Sequence, residues 1–285
     1  MNPGWRHPAP EGWLDAAFGA LAEDLGTGDL SSAALQPGKT AEWYIEAQGK
    51  GVVCGVGIAV GMMAPEGEEP QDCFAEAIAT DGDQVRPGDR VAEGVTEVSK
   101  LLARERTALN FLMTLSGTAT LTREFVDKLA GMRVDIVDTR KTMPYMRSLQ
   151  KYAVRCGGGR NHRMGLYDGI MIKDNHIRAS GSITEAVHKV RAVAGQMMLV
   201  EVECTSLEQV EEAAVAGADI VMLDNMDPFM MKDAAKKYGD KVRLEASGGI
   251  SLDTVKGVAK TGVHAVSIGA LTHSAPALPF HLEVG

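Results

Sequence analysis

Residues 197–225, "MMLVEVECTSLEQVEEAAVAGADIVMLDN", contain the pattern that decides the fold of this chain. A short apolar run, "MMLVEVE", is followed by a segment with helical spacing and then by a second apolar run, "DIVML". Short apolar strands that alternate with helices of this length indicate right-handed βαβ units and a parallel sheet. This stretch therefore predicts a parallel α/β architecture.

The same alternation continues on both sides of this stretch. Four more strand-like runs are "VDIVD", "DGIMI", "VRLEA" and "HAVSI", and helical segments such as "SITEAVHKVRAVAG" and "PFMMKDAAKKYG" lie between runs. All six runs end at polar or glycine residues that suit chemistry. In a β/α barrel the carboxyl ends of the strands meet at one site, whereas an open sheet binds ligands mainly at one switch point. The pattern favours a barrel, complete or incomplete, over an open sheet.

The amino-terminal part has a different rhythm. An amphipathic helix is predicted over residues 13–25, and short strands bounded by Gly, Asp and Pro are predicted over residues 40–98. A helix over residues 100–115 follows, and "SGTATLTREFVDKLAG" predicts another. The run "GVGIAVG" at 55–61 has G-x-G-x-x-x-G spacing and no predicted helix after it, so we interpret its glycines as strand and turn residues and not as a dinucleotide loop.

Composition excludes several classes of protein. The chain has 285 residues, a net charge of -9 and 45% hydrophobic residues, which indicates a globular protein and argues against a nucleic-acid partner. No apolar run approaches the ~20 residues that cross a bilayer, and the first residues lack a signal-peptide layout, so no membrane partner is expected. The four cysteines form no C-x-x-C pair. We expect reduced thiols in a cytoplasmic protein.

Positive charge is concentrated in residues 138–163, "DTRKTMPYMRSLQKYAVRCGGGRNHR". Cations at or after strand ends predict a binding site for a multiply anionic ligand, because like charges that are buried together are unstable without anions. These residues are Arg140, Lys141, His162, Arg163 and Lys173, with Arg106 in an earlier helix. A second group has helical spacing, and for it we favour a solvated helix face: Arg147, Lys151 and Arg155.

Acidic residues end two neighbouring strands. Glu203 and Asp224 lie at these ends, and alternation in "VEVE" places Glu201 on the same face as Glu203. Carboxylates at a basic site suit Mg²⁺ held together with substrate phosphates, or stabilisation of a developing positive charge. The alternative is a structural network in which Arg or Lys neutralises the acids.

Glycines follow the last two strands and precede helical segments. "ASGGI" contains Ser247, Gly248 and Gly249, and "SIGAL" contains Gly269. Glycine backbone after a strand can approach a phosphate closely, and the helix that follows offers free N–H groups. The alternative is a pair of ordinary βα turns. The two glycine segments together predict a phosphate site.

Taken together, these motifs resemble the quinolinate phosphoribosyltransferase family. The resemblance rests on "RERTALNFLMTLSGTATLT", "KYAVRCGGG", "VEVE", "AGADIVMLDN", "EASGGI" and "SIGALTHSAPALPF", and it covers nearly the whole chain in order. It implies an α/β fold with an N-terminal α/β sandwich domain over 1–113 and an incomplete, six- or seven-stranded α/β barrel over 114–271. Residues 272–285 would pack back on the first domain.

The resemblance also implies an activity. The family transfers the phosphoribosyl group of 5-phosphoribosyl-1-pyrophosphate (PRPP) to quinolinate, with Mg²⁺. Decarboxylation then yields nicotinate mononucleotide, pyrophosphate and CO₂ in NAD biosynthesis. The family works as a homodimer with shared active sites, which some members build into a hexamer.

Roles in this chain follow from the positions that match the family's motifs. Lys141, Glu203 and Asp224 would be catalytic, and the last two would also hold the metal. Arg106 would reach in from the partner subunit. The remaining substrate-binding residues would be Thr139, Arg140, His162, Arg163, Lys173, Glu201, Ser247, Gly248, Gly249 and Gly269.

One departure and two alternatives accompany this interpretation. The family usually has Thr-Pro-Gly where this chain has Met143-Pro144-Tyr145. A paralogue associated with molybdate transport shares the fold, but the intact "TRK", "NHR" and "KDNH" segments argue against it. A phosphate-binding sensor would have no need of the acids that leaving-group chemistry requires.

Overall fold

The computed structural model of the chain describes residues 10–32, 38–64 and 73–285, which fall into two compact units. The first unit includes the chain up to Arg123 together with Thr142–Gly158 and Leu271–Gly285. The second includes Glu124–Lys141 and Gly159–Ala270. The helices are α1 (Trp13–Leu25), α2 (Val56–Met63), α3 (Val98–Lys128), α4 (Arg147–Cys156), α5 (Asp174–Ser180), α6 (Ile183–Val193), α7 (Leu207–Val215), α8 (Pro228–Tyr238), α9 (Val255–Ala259) and α10 (Ala270–His273).

The strands of the first unit form an antiparallel sheet in the order β12-β1-β5-β3, and β2 pairs separately with β4. Strand β1 alternates, so that Trp43, Ile45 and Ala47 are buried while their neighbours are more exposed. The indole of Trp43 donates a hydrogen bond to Thr96 Oγ1 at 2.9 Å. The bounds are β1 (Thr40–Ala47), β2 (Gly51–Val52), β3 (Phe74–Ala77), β4 (Gln84–Val85), β5 (Arg90–Glu97) and β12 (Phe280–Val284).

The second unit contains a six-stranded parallel sheet in the order β6-β11-β10-β9-β8-β7. Arg160 adds a single parallel bridge to Val137 at the outer edge of β6. No described strand ladder joins that bridge to β7, so the barrel is incomplete, as predicted. The bounds are β6 (Asp135–Val137), β7 (Ile170–Ile172), β8 (Val200–Cys204), β9 (Ile220–Asp224), β10 (Arg243–Ser247) and β11 (Ala265–Ser267).

Local capping explains where the barrel helices begin. The hydroxyl of Ser182 accepts the N–H of Glu185 at the start of α6, and Ser206 caps α7 through the N–H of Gln209. Asp227 caps α8, whose first residue is Pro228. These helices and the six strands confirm the predicted βαβ pattern.

The prediction of strand and turn glycines at residues 55–61 was wrong. Helix α2 begins directly after Gly55, which has φ +100°. The N–H groups of Gly55 and Val56 both donate to Asp81 Oδ1, at 2.9 and 3.0 Å. Because the protein's own carboxylate occupies this helix N-terminus, the segment is still no dinucleotide loop.

The prediction of two helices between residues 100 and 130 was also wrong, since α3 runs unbroken through "SGTAT". Gly117 allows α3 to lie close to the backbone of Pro276, because a Cβ at this position would lie 2.1 Å from the Pro276 carbonyl oxygen. The hydroxyls of Ser116 and Thr120 bind the backbone of Cys54 and Val52, each at 2.9 Å to the N–H. The polar side chains of Ser116 and Thr120 therefore form hydrogen bonds along one face of a continuous helix.

Arg147, Lys151 and Arg155 do not form the solvated face that we favoured. All three lie on α4, but Lys151 is only 1% exposed, and both arginines are half-buried. The helix is buried on more than one side, since its buried residues are Leu149, Gln150, Lys151, Ala153 and Val154.

Two further expectations concern redox state and membranes. None of the four cysteines forms a disulfide bond among the described residues. Among the described residues, none of the helices combines the length and the apolar character that crossing a bilayer requires. The cytoplasmic location stays a prediction.

Candidate active site

A cavity of about 460 Å³ opens at the carboxyl ends of the barrel strands. It is lined by Thr139, Arg140, Lys141, His162, Arg163, Met171, Lys173, Glu203, Met222, Asp224, Asn225, Ser247 and Ser267. Nine of these residues were predicted from the sequence; Met171, Met222, Asn225 and Ser267 were not. The barrel thus brings residues from six separate strand ends to one cavity.

Two guanidinium groups in this cavity influence each other. Burial, and then the neighbouring Arg140 charge, lower the pKa of Arg163. Arg163 Nη1 donates to the carbonyl oxygen of Gly169 at 2.9 Å, which holds the side chain in place. Two guanidinium groups that line one cavity favour the binding of an anion there.

An ion pair joins the ends of β7 and β8. Lys173 Nζ lies 2.5 Å from Glu203 Oε2, and the two side chains are 44% and 20% exposed. The alternative of a neutralised structural network therefore holds for one oxygen of Glu203. Asp224 has no ion pair with any residue that the structure describes, and it lines the same cavity.

Glu201 lies one layer deeper in the barrel. It does not line the cavity at the carboxyl ends but a second one, of about 690 Å³, at the amino ends of the strands. Its Oε2 atom lies 2.8 Å from His162 Nε2, and Glu245 Oε1 lies 3.8 Å from the same nitrogen. Burial and the Glu201 carboxylate raise the pKa of Glu245 to about 7.

Asp138 fixes the loop that returns His162 to the site. Its carboxylate is fully buried and accepts hydrogen bonds from Asn161 Nδ2 at 2.6 Å and from the N–H of His162 at 2.8 Å. Asp138 ends a predicted strand, but no role was predicted for it. Asp138 is the one acidic residue in the basic segment 138–163. That isolation was the available sign that its partner lies within the same segment.

Packing requires glycine at one of the two positions that follow β10, Gly248. Gly248 has φ +101°, and a Cβ there would lie 2.1 Å from Asn225 Oδ1. Gly249 has φ +58° and open space around it. Helix α9 begins only at Val255, so these glycines do not directly precede a helix, which corrects that part of the prediction. Gly269 does directly precede α10. None of the three glycines lines the cavity, although Ser247 does.

Two sequence features lie in the first unit. Arg106 is on α3, where its side chain is 63% exposed and lies 3.7 Å from Glu105. Its predicted role in a partner's site stays a prediction.

Tyr145 is fully exposed with φ +59°, a left-handed conformation that favours glycine. This conformation suits the glycine that the resemblance implies at this position better than it suits tyrosine.

Both parts of the chain match known protein families and relatives. Residues 29–116 match the family model "Quinolinate phosphoribosyl transferase, N-terminal domain", and residues 118–283 match the model of the C-terminal domain. The chain is 45% identical over 262 residues to a probable nicotinate-nucleotide pyrophosphorylase [carboxylating] of Bacillus subtilis, covering 92% of this chain and 90% of that protein. It is 38% identical to the nicotinate-nucleotide pyrophosphorylase [carboxylating] of Mycobacterium leprae, covering 93% and 94%.

Solved structures give the same result. The nicotinate-nucleotide pyrophosphorylase of Francisella tularensis superposes with a TM-score of 0.89 at 36% identity, covering 98% of each chain. NadC from Streptococcus pyogenes superposes with a TM-score of 0.90 at 38% identity, covering 99% of each chain. The N-terminal sandwich and the incomplete C-terminal barrel are thus confirmed, and the chain belongs to the quinolinate phosphoribosyltransferase family.

Proposed function

We propose that this chain transfers the phosphoribosyl group of PRPP to the ring nitrogen of quinolinate and removes the adjacent carboxylate, which yields nicotinate mononucleotide, pyrophosphate and CO₂ for NAD biosynthesis. The observation that carries the proposal is one cavity in which cations and acids are both present. Arg140, Arg163 and Lys173 match a dicarboxylate, whereas Glu203 and Asp224 match a ribose that becomes positive.

The cationic side chains Arg140, Arg163 and Lys173 bind the carboxylates of quinolinate. A guanidinium binds a carboxylate through two parallel hydrogen bonds, which fixes the plane of the substrate as well as its charge. Burial lowers the pKa of Arg163 most, and the charge of Arg140 lowers it further, because the two cations repel each other. A dianion relieves this repulsion, so the pair selects a substrate with two carboxylates over one with a single carboxylate.

Phosphoribosyl transfer requires stabilisation of two opposite charges. As the bond between the ribose and pyrophosphate breaks, the anomeric carbon becomes positive and the leaving group becomes more negative. The Glu203 and Asp224 carboxylates stabilise the ribose, and Lys141 stabilises the pyrophosphate. The quinolinate nitrogen then forms the new bond to the anomeric carbon.

The acids also suit Mg²⁺. Asp224 has no ion pair among the described residues, and Glu203 keeps one oxygen that Lys173 does not bind. Two carboxylates leave most positions around the ion to water and phosphate oxygens, as Mg²⁺ prefers. When bound, Mg²⁺ would supply positive charge that stabilises the departing pyrophosphate.

Decarboxylation follows from the transfer itself. The new bond makes the ring nitrogen positive, so the ring can accept the electron pair when the bond between carbon and CO₂ breaks. The ring carbon then takes a proton, and atoms and charges balance. The protein orients the ring and need not supply the electron sink, so the cations at the carboxylates act mainly in positioning.

The 5′-phosphate of PRPP would bind at the glycine segments. Ser247, Gly248 and Gly249 leave the end of β10, and Gly269 leaves the end of β11. Backbone without side chains lets phosphate oxygens approach N–H groups closely. The position after the last barrel strands is where phosphates commonly bind in this architecture.

The active unit would be a homodimer in which Arg106 completes the partner's site. Its side chain is mostly exposed, and it forms an ion pair with the adjacent Glu105 at 3.7 Å. Mixing an Arg106→Ala subunit with a Lys141→Ala subunit should restore part of the lost activity, since mixed dimers contain one intact site. No recovery in verified mixed dimers would contradict shared sites.

The function is tested with purified protein, PRPP, Mg²⁺ and either quinolinate or nicotinate. We expect nicotinate mononucleotide and pyrophosphate from quinolinate, and no product from nicotinate. Product from nicotinate but not from quinolinate would overturn the proposal.

A further inference from the structure

Both ring nitrogens of His162 are occupied by the protein itself. The backbone N–H of Arg163 donates to His162 Nδ1 at 2.7 Å, and His162 Nε2 lies 2.8 Å from Glu201 Oε2. A nitrogen that accepts an N–H carries no hydrogen, so Nε2 must carry the single hydrogen of the neutral ring. Protonation of Nδ1 would place two donors against each other at 2.7 Å. His162 is therefore held as a neutral donor to Glu201.

The acids that hold His162 form a layer inside the barrel. Glu201 and Glu203 alternate to the same face of β8, as Glu245 and Ser247 do on β10. Two residues along a strand correspond to roughly 6.6 Å. Glu203 and Ser247 line the cavity at the carboxyl ends, so Glu201 and Glu245 form the next layer towards the amino ends.

This layer contains two carboxylate oxygens that lack a hydrogen-bond partner. They are Glu201 Oε1 and Glu245 Oε1, and the side chains are each only 5% exposed. A protonated carboxyl donates a hydrogen bond where an ionised one only accepts, so a proton on Glu245 would give its carboxyl a hydrogen to donate. The raised pKa of Glu245 agrees with a protonated acid near neutral pH.

The residue types also match a divalent cation. One atom each from His162, Glu201 and Glu245 lies within 4.8 Å of the others. A metal ion at Nε2, however, would need the hydrogen on Nδ1, where the N–H of Arg163 already points. The observed hydrogen bonds favour a proton over a metal ion in this cluster.

We propose that Glu201 and Glu245 are positioning residues. Glu201 binds His162 at Nε2, Glu245 lies beside the same nitrogen at 3.8 Å, and His162 binds the backbone N–H of Arg163. His162 thus supports the substrate pocket as a neutral ring and is not a cationic ligand of the substrate. The link to substrate affinity rests on the proposed function, whereas the state of the ring does not. Arg163 is the residue through which the layer acts, because its side chain lines the pocket.

A proton–nitrogen NMR spectrum of labelled histidines in the wild-type protein tests the ring directly, with His162→Asn to assign the signal. We expect the neutral form with hydrogen on Nε2 at neutral pH, before and after quinolinate is added. An imidazolium that forms when quinolinate binds would overturn the proposal. So would a zinc-dependent shift of the Nε2 signal that Glu245→Gln abolishes. Because this readout needs no turnover, it stands even if the proposed activity fails.

Affinity measurements test the positioning role. Glu245→Ala should weaken quinolinate binding about 10-fold, the lower end of what the loss of an outer-shell partner costs at metal sites, while PRPP binding changes little. Glu245→Gln keeps the shape and should recover most of the loss. Glu211→Gln, on the exposed side of α7, is the matched control. Equal losses of both substrates in Glu245→Ala, with no recovery in Glu245→Gln, would contradict positioning.

Discussion

Lys173 Nζ lies 2.5 Å from Glu203 Oε2, so a cation that we assign to quinolinate and an acid that we assign to the ribose neutralise each other within the protein. An anionic substrate competes with Glu203 for Lys173. Binding of quinolinate would therefore release the Glu203 carboxylate for the ribose. The Lys173–Glu203 ion pair thus links quinolinate binding to the availability of the negative charge on Glu203 for phosphoribosyl transfer.

Glu203→Gln separates these two roles. Removal of the negative charge should lower kcat about 100-fold, in the range found when one group that stabilises a transition-state charge is removed. The affinity for quinolinate should not weaken, because Lys173 loses its internal competitor. Calorimetric titration and steady-state kinetics measure the two effects. A large loss of quinolinate affinity would refute this account of the ion pair.

Arg140→Ala tests the assignment of the guanidinium groups. We expect quinolinate affinity to fall about 100-fold, because truncation of a desolvated charge partner costs 2–5 kcal/mol or more. PRPP should still bind, since its proposed contacts lie at other strand ends. Arg86→Ala, at an exposed turn in the first unit, is the control. Unchanged quinolinate affinity in Arg140→Ala would remove this residue from the substrate site.

Alanine substitutions at Gly248 and Gly249 test the segment that is proposed to bind the 5′-phosphate. An alanine at either position adopts an unfavourable left-handed backbone, which costs roughly 1–2 kcal/mol. Only at Gly248 would the new Cβ also collide with the side chain of Asn225. We expect Gly248→Ala to raise the KM for PRPP and lower the Tm more than Gly249→Ala. Equal effects would show that Asn225 does not constrain this turn.

Glu245 predicts a pH dependence of stability. Its folded-state pKa of about 7 exceeds the ordinary 4.5, so the folded protein binds more protons than the unfolded chain between these values. The free energy of unfolding should therefore fall as pH rises from 4.5 to 7, by up to roughly 3 kcal/mol. The groups facing Glu245 are Glu201, His162, Ser267 and Arg243. Urea unfolding of wild type and Glu245→Gln should differ by this slope, and parallel curves would contradict it.

The sequence predicted the barrel well because its strands are nearly continuous apolar runs that end at polar residues. Those ends, at residues such as Glu203, Asp224 and Ser247, are the ones that the structure brings to one cavity. Alternation in "VEVE" correctly placed Glu201 inside. The depth of Glu201 could not be predicted, because depth depends on which residues of neighbouring strands lie opposite each other.

Other features depend on contacts distant in the chain. Polar residues in "SGTAT" are typical of a helix end, but Ser116 and Thr120 bind backbone about 60 residues away. Lys151 has the spacing of a surface residue, yet its helix is packed on several sides. No role was predicted for Glu245, because only the folded barrel brings it near His162.

The most direct test of the central claim is a single turnover with quinolinate labelled in the carboxylate next to the ring nitrogen. We predict that wild-type protein with PRPP and Mg²⁺ releases one labelled CO₂ for each nicotinate mononucleotide and each pyrophosphate formed, and none when PRPP is omitted. Formation of a nucleotide that keeps the label, or release of labelled CO₂ without PRPP, would contradict the account.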